Sequence, residues 1–161
     1  NVAKRRIEEM KDRKTEKHMQ LLTNNLEKII RMGAIITPAI KAVVEKFCPG
    51  PLTIVVQSSN GMGTMGFRIP KHNFVIELTS RLGEPLAATS ANISGEKPAL
   101  SVTEVFDKLI FPPDLVIDAG EICSDGRAST VADFSTGRLK ILREGPIRET
   151  EILEILNQYS Y

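Results

Sequence analysis

The sequence predicts an α/β fold: a twisted, open mixed sheet with flanking helices. Three observations predict it. Short apolar runs bounded by Pro and Gly, such as residues 52–56 and 86–89, alternate with segments whose apolar residues recur at helical spacing, such as Ile40, Val43, Val44 and Phe47. Strands alternating with helices in this way build α/β sheets. Towards the C-terminus the alternation gives way to two strand-like runs, 129–134 and 139–142, around Thr136-Gly137, which reads as a hairpin and makes the sheet mixed. The length of 161 residues, 42% hydrophobic and 25% charged, suits one domain over 1–161 with a full core.

Each element follows from its letters. In residues 2–13, Ile7 and Met10 lie one turn apart among charges, the pattern of a mostly solvated helix. Residues 18–22 read as a strand. Thr23 is placed as the N-cap of a helix over 24–32, where Leu26, Ile29 and Ile30 share a face and Gly33 supplies the stop. Thr37 and Pro38 stand in the favoured N-cap and N1 order and open the next helix. Pro49-Gly50-Pro51 ends that helix and launches the strand over 52–56. The Gly- and Ser-rich stretch 58–63 is a loop, mobile by composition. Extended structure resumes over 64–69, a helix over 72–82 closes at Gly83, and a buried strand over 86–89 follows. Ser101 and Glu104 have capping-box spacing for a helix to about residue 110. Pro112-Pro113 leads into a strand over 115–117, and a last helix over 150–158 puts Ile152, Ile155 and Leu156 on one face.

Composition narrows the function classes. Lys plus Arg number 21 against 20 Asp plus Glu, a formal charge of +1, so there is no global electrostatic footprint for nucleic acid, while a local basic patch stays open. Cys48 and Cys123 are too few for a disulfide framework and lack metal-ligand spacing, which favours a reducing, cytoplasmic setting. Neither a signal peptide nor a bilayer-spanning apolar run is present, so we expect a soluble protein without a membrane partner. The chain opens at Asn1 rather than at a methionine and enters a basic amphipathic helix at once, from which we expect an N-terminally incomplete domain.

The strongest candidate for chemistry is 85–95, where a small apolar run ends in Thr89, Ser90, Asn92, Ser94 and Gly95. In open α/β sheets ligands sit outside the carboxyl ends of strands. There Ser90 and Asn92 could bond phosphate or ribose oxygens; equally, Ser and Asn form turns by bonding their own backbone. Thr64 and Arg68 share a strand face. Arg68, set between Phe67 and Ile69, is too enclosed to stay unpaired, and so meets either a structural carboxylate or an anionic ligand. Lys11 and Arg13 close the first helix, where cations complement the dipole unless they clamp a triphosphate. Arg143 ends a strand beside Gly145, which allows a close backbone approach, and Ser129-Thr130 opens the other hairpin strand. His18 and His72 are isolated, so no protein-bound metal is expected. No phosphate loop, Rossmann glycine triplet or G-x-S-x-G elbow occurs.

Read in order, six segments resemble the YrdC/TsaC, or threonylcarbamoyl-AMP synthase, family over roughly residues 1–147. They are Lys11-Asp12-Arg13, Pro49-Gly50-Pro51-Leu52-Thr53, 64–70 ending Phe67-Arg68-Ile69-Pro70, 85–95 with its S-x-N element, Ser129-Thr130-Val131-Ala132-Asp133 and Ile141-Leu142-Arg143-Glu144-Gly145. The resemblance implies an ATP-dependent nucleotidyltransferase that makes L-threonylcarbamoyl-adenylate from L-threonine, bicarbonate and ATP, with Mg²⁺ on the nucleotide, releasing pyrophosphate. The product would feed N6-threonylcarbamoyladenosine formation in tRNA, so tRNA and downstream tRNA-modification proteins join the implied partners. By the same resemblance, Lys11 and Arg13 are the catalytic pair and contact ATP together with Thr64, Ser90, Asn92 and Arg143. Arg68 holds the threonine carboxylate, with Ser129 and His18 beside it. The chain departs from the pattern where Asp12 and Lys14 stand in K-x-R-P, and where His18-Met19 replaces Pro-Leu. It also lacks the family's first strand and its P-T-x-T-x-Y-G-L stretch, and a polypeptide truly starting at Asn1 is expected to show weak or no synthase activity. Two alternatives stand beside this reading: a carbamoyltransferase-type domain that uses carbamoyl-adenylate, and a tRNA- or dsRNA-binding module without catalysis.

Overall fold

The computed structural model describes residues 2–12, 19–61, 63–97, 99–120 and 128–159. Twelve elements follow one another: α1 (Val2–Met10), β1 (Gln20–Leu22), α2 (Leu26–Arg31), α3 (Pro38–Phe47), β2 (Leu52–Gln57), β3 (Thr64–Arg68), α4 (Asn73–Leu82), β4 (Leu86–Ala88), α5 (Val102–Lys108), β5 (Thr130–Asp133), β6 (Lys140–Arg143) and α6 (Glu149–Leu156). They fall into two compact units, one of Asn1–His18 with Thr89–Gly126, the other of Met19–Ala88 with Arg127–Tyr161.

The larger unit holds the expected mixed sheet, six strands in the order β4-β1-β3-β2-β5-β6. β1 and β3 run parallel, as do β2 and β5, while β4 on β1, β3 on β2 and β6 on β5 are antiparallel. Strand alternation gives the sheet two chemically different faces. One carries Leu52, Ile54, Val56, Met65, Phe67 and Ala132, and buries them with Leu26 and Ile29 of α2, Ala39, Ile40, Val43 and Val44 of α3, and Ile152 and Leu156 of α6. Phe67, Ile54 and Leu52 are fully buried; at about 25 cal/mol per Å² each contributes roughly 1.5–3 kcal/mol. The residues between them, Thr53 of β2, Arg68 of β3 and Val131 of β5, therefore lie on the other face.

Local chemistry sets the helix ends. Thr37 Oγ1 accepts the Ile40 N–H at 3.2 Å, with Pro38 at N1, as its letters predict. Gly83 closes α4 at φ 76°, a left-handed conformation in which a side chain would be strained. In α2 the expectation fails by two residues: the N-cap is Asn25, whose Oδ1 accepts the Lys28 N–H at 3.1 Å. Thr23 is fully buried and bonds the Asn25 backbone instead, so the helix starts later than its apolar spacing suggests. In the loop after β2, Ser59 N–H donates to Gly33 O at 2.7 Å and Asn60 Nδ2 to Met32 O at 3.1 Å.

Two strand expectations change. β4 is not a buried strand but, among the described residues, the edge of the sheet, paired only with β1, and Ala87 is exposed. Its small residues suit an edge that has little to pack on. Residues 115–117 form no strand at all, and Leu115 and Ile117 are 76% and 56% exposed. Apolar lettering alone does not make a strand when no neighbour among the described residues offers a ladder.

In the smaller unit, α1 is less solvated than its charges suggest, for Glu8, Met10 and Lys11 are buried. Its last carbonyls are met from far along the chain: Ile110 N–H donates to Met10 O at 3.1 Å and Ser94 N–H to Lys11 O at 2.9 Å. Arg6 donates to Asp114 at 2.7 Å and lies 5.8 Å from the Phe111 ring centre. Ser101 Oγ caps α5 as expected, while Glu104 reaches the Leu100 N–H rather than that of Ser101. Among the described residues no helix is long and apolar enough to cross a membrane.

Candidate active site

In the sheet unit the candidate residues gather in one cross-strand row. Leu22 pairs with Arg68, Thr53 with Val131, and Val131 with Arg143. The Ile54–Phe67 pair places Thr53 next to Arg68 one step along. Ser129 sits immediately before β5 and is 5% exposed. A continuous chain of hydrogen bonds runs along this row. Arg143 Nη2 donates to Ser129 Oγ at 3.0 Å and its Nε to Ser129 O at 2.9 Å. Ser129 Oγ lies 2.9 Å from Thr53 Oγ1, which donates to Gln20 Oε1 at 3.0 Å. Gly145 makes this possible: a Cβ there would stand 2.6 Å from Ala128 O, so only glycine lets the two backbones approach.

Arg68 adds the second cation. Its Nε donates to Gly50 O at 3.0 Å, the only hydrogen bond its side chain makes among the described residues. Neither Arg68 nor Arg143 forms an ion pair with a carboxylate among those residues. Burial first, and then the Arg143 charge, lower the Arg68 pKa from its ordinary value. Two guanidiniums without a carboxylate partner among the described residues, at one end of a sheet face, make a place for an anion. Next to it, burial pushes the Cys48 thiol up to about 11, against the opposing pull of the Ile69 backbone and the Arg68 charge.

Thr64 shares the face of Arg68 but begins β3 where Arg68 ends it, so four residues of strand rise, about 13 Å, separate them. The structure therefore joins Arg68, Ser129 and Arg143 and leaves Thr64 at the opposite end of the strand.

In the smaller unit Lys11, Ser90 and Asn92 form a second constellation. The buried Lys11 ammonium donates to the carbonyl oxygens of Ser90 and Asn92, far along the chain. Asn92 does form the turn its letters allow, its Nδ2 donating to Ile93 O at 2.7 Å and Glu96 O at 2.9 Å. Its Oδ1 is buried with no partner among the described residues. Ser90 is exposed. Asp12 adopts φ 46°, the left-handed region that Asp tolerates better than most residues. Arg13 and His18 lie outside the described residues. No group of three His, Cys, Asp or Glu side chains among the described residues could hold a metal ion.

Sequence reasoning assigns no role to Gln20 or Thr53. The signal lay in each being a polar residue with apolar neighbours on both sides: Thr53 between Leu52 and Ile54, Gln20 between Met19 and Leu21.

Comparison with known proteins places the chain in a family. A family model for Sua5, YciO and YrdC, described as "Telomere recombination", matches residues 1–145. A Rattus norvegicus protein named threonylcarbamoyl-AMP synthase is 32% identical over 167 residues, which cover 93% of this chain and 58% of that protein. The crystal structure of Pyrococcus abyssi Sua5 complexed with L-threonine superposes with a TM-score of 0.86 at 29% identity, covering 97% of this chain and 48% of that one. The E. coli YciO structure, at 20% identity and a TM-score of 0.80, shares the fold. The chain thus spans about half to three-fifths of the rat and Pyrococcus proteins.

Proposed function

We infer the activity from what the chain is: it belongs to the Sua5/YciO/YrdC family. Its proposed reaction is the synthesis of L-threonylcarbamoyl-AMP from L-threonine, bicarbonate and ATP, with release of pyrophosphate, for N6-threonylcarbamoyladenosine formation in tRNA. The observation that carries this reading is the pair of guanidiniums, Arg68 and Arg143, that lack a carboxylate partner among the described residues and flank the Ser129 hydroxyl. An amino-acid carboxylate supplies the missing charge, taking both free nitrogens of Arg68 in a bidentate pair. The rat relative's name and the threonine bound to the Pyrococcus protein support the choice of amino acid.

The chemistry suits the residue types. The threonine amine and bicarbonate give a carbamate and water. A carbamate oxygen then bonds to the α-phosphorus of ATP while the bond to the β-phosphate oxygen breaks and pyrophosphate leaves. Such a transfer needs positioning and neutralisation of oxyanions more than a protein nucleophile. In our reading Lys11 and Arg13 are the catalytic cations on the phosphates, with Thr64, Ser90, Asn92 and Arg143 as further ATP contacts and His18 a further threonine contact. The uncommitted Asn92 Oδ1 is an acceptor suited to a ribose hydroxyl or an adenine amine. Mg²⁺ would arrive on the nucleotide and shield the phosphate charge. The proposal places the protein in the cytoplasm, with tRNA and tRNA-modification proteins acting on its product.

The test is pyrophosphate release with ATP while L-threonine and bicarbonate are omitted in turn. The reading predicts that release stops in both omissions. Release that ignores threonine would refute it and favour a carbamoyl-adenylate chemistry.

A further inference from the structure

We propose that Gln20 and Thr53 are positioning residues that fix the direction of the Ser129 hydroxyl, so that Ser129 meets the amino-acid substrate as an acceptor for its N–H. The inference rests on the threonine reading above and deepens it.

Each hydroxyl has one proton to give. Thr53 spends its proton on Gln20 Oε1 at 3.0 Å, so Thr53 Oγ1 can only accept in its 2.9 Å contact with Ser129. Ser129 must therefore donate to Thr53, and it accepts from Arg143 Nη2 at 3.0 Å. The direction runs from Arg143 through Ser129 and Thr53 to Gln20. Thr53 and Ser129 are 4% and 5% exposed, which leaves little water to reorder the chain. With its proton committed, Ser129 has one lone pair left. A carboxylate oxygen there would face lone pair against lone pair, whereas a substrate N–H is matched. The carboxylate is left to Arg68, whose terminal nitrogens are uncommitted among the described residues. The same two guanidiniums disfavour an ammonium beside them, which promotes the neutral amine, the form that attacks carbon.

The experiment is calorimetric titration of the chain with L-threonine and with 3-hydroxybutyrate, which keeps the carboxylate and hydroxyl of threonine but lacks its amine. Gln20→Leu and Thr53→Val are each expected to weaken threonine binding about 2- to 10-fold, as for loss of one net hydrogen bond, and to leave 3-hydroxybutyrate unchanged. The double variant should be no worse than the weaker single, because the two residues act in series. Gln20→Glu, which keeps the acceptor, should restore most of the threonine affinity. Equal weakening of both ligands, or additive loss in the double variant, would show a merely structural role and overturn the inference. Threonine binding by the parent chain with no change in any variant would overturn this inference alone. A parent chain that binds neither ligand would overturn the functional reading with it.

Discussion

Replacing Arg68 with Met separates a binding cation from a structural one. Met keeps an apolar stem against the strand and removes the guanidinium. In the free protein that group makes one hydrogen bond, Nε to Gly50 O at 3.0 Å, among the described residues, and its charge is opposed by burial and by Arg143. Losing the bond costs about 1 kcal/mol. Relief of desolvation and of like-charge repulsion offsets a similar amount, so the expected change in unfolding free energy is within about 1 kcal/mol of zero. For threonine binding nothing offsets the loss. A charge-assisted bond contributes about 1.5–3 kcal/mol, so affinity should fall about 10- to 150-fold. Urea unfolding and calorimetry with L-threonine on the same preparation read both quantities. A variant that unfolds more easily by over about 2 kcal/mol yet binds threonine as the parent does would show that Arg68 holds the fold and not the ligand.

Further predictions follow from other sites. On a Cys123→Ser background the Cys48 thiol, raised from 9.0 to about 11, should alkylate at pH 8 about a hundredfold more slowly than a free thiol, since only the thiolate reacts; alkylation at the rate of a model thiol would contradict this. Because its folded pKa lies above its unfolded one, its contribution to stability is complete below about pH 9 and is lost as pH rises through about 11, which urea midpoints across that window would show. Gly145→Ala pushes a methyl to within 2.6 Å of Ala128 O, and should cost about 1–3 kcal/mol and weaken threonine binding by shifting Ser129; unchanged midpoint and affinity would refute the close-approach account. Lys11→Met strips the Ser90 and Asn92 carbonyls of a donor, so amides of residues 90–95 should exchange faster and ATP binding should weaken, whereas unaltered exchange would argue against the clamp.

The contrast between what the letters reveal and what they hide has a physical basis. Thr37-Pro38 and Gly83 act within a few residues of themselves, so their effects can be read from the chain. The edge position of β4 depends on which strand pairs with it, and apolar lettering at 86–88 carries no information about neighbours. The cap of α2 was missed because Thr23 and Asn25 are both good caps, and burial of Thr23 decides between them. At the candidate site, Arg68, Ser129 and Arg143 were legible as residue types that handle anions. The hydrogen bonds that tie Arg143 and Ser129 to Thr53 and Gln20 were not, since those between Ser129, Thr53 and Gln20 span 76 and 33 residues of chain. Thr64 shows the opposite limit: spacing puts it correctly on the Arg68 face but says nothing about the strand length between them.

The central proposal is that the protein joins bicarbonate carbon, threonine and adenylate in one molecule. Incubation with ATP, L-threonine and isotopically labelled bicarbonate, followed by mass spectrometry of the nucleotide fraction, tests it most directly. The account predicts an adenylate carrying both threonine and the labelled carbon, reduced by at least tenfold in Arg68→Met in line with the loss of one charge-assisted bond. Label in a nucleotide that lacks threonine, or an adenylate that forms equally well in Arg68→Met, would contradict it.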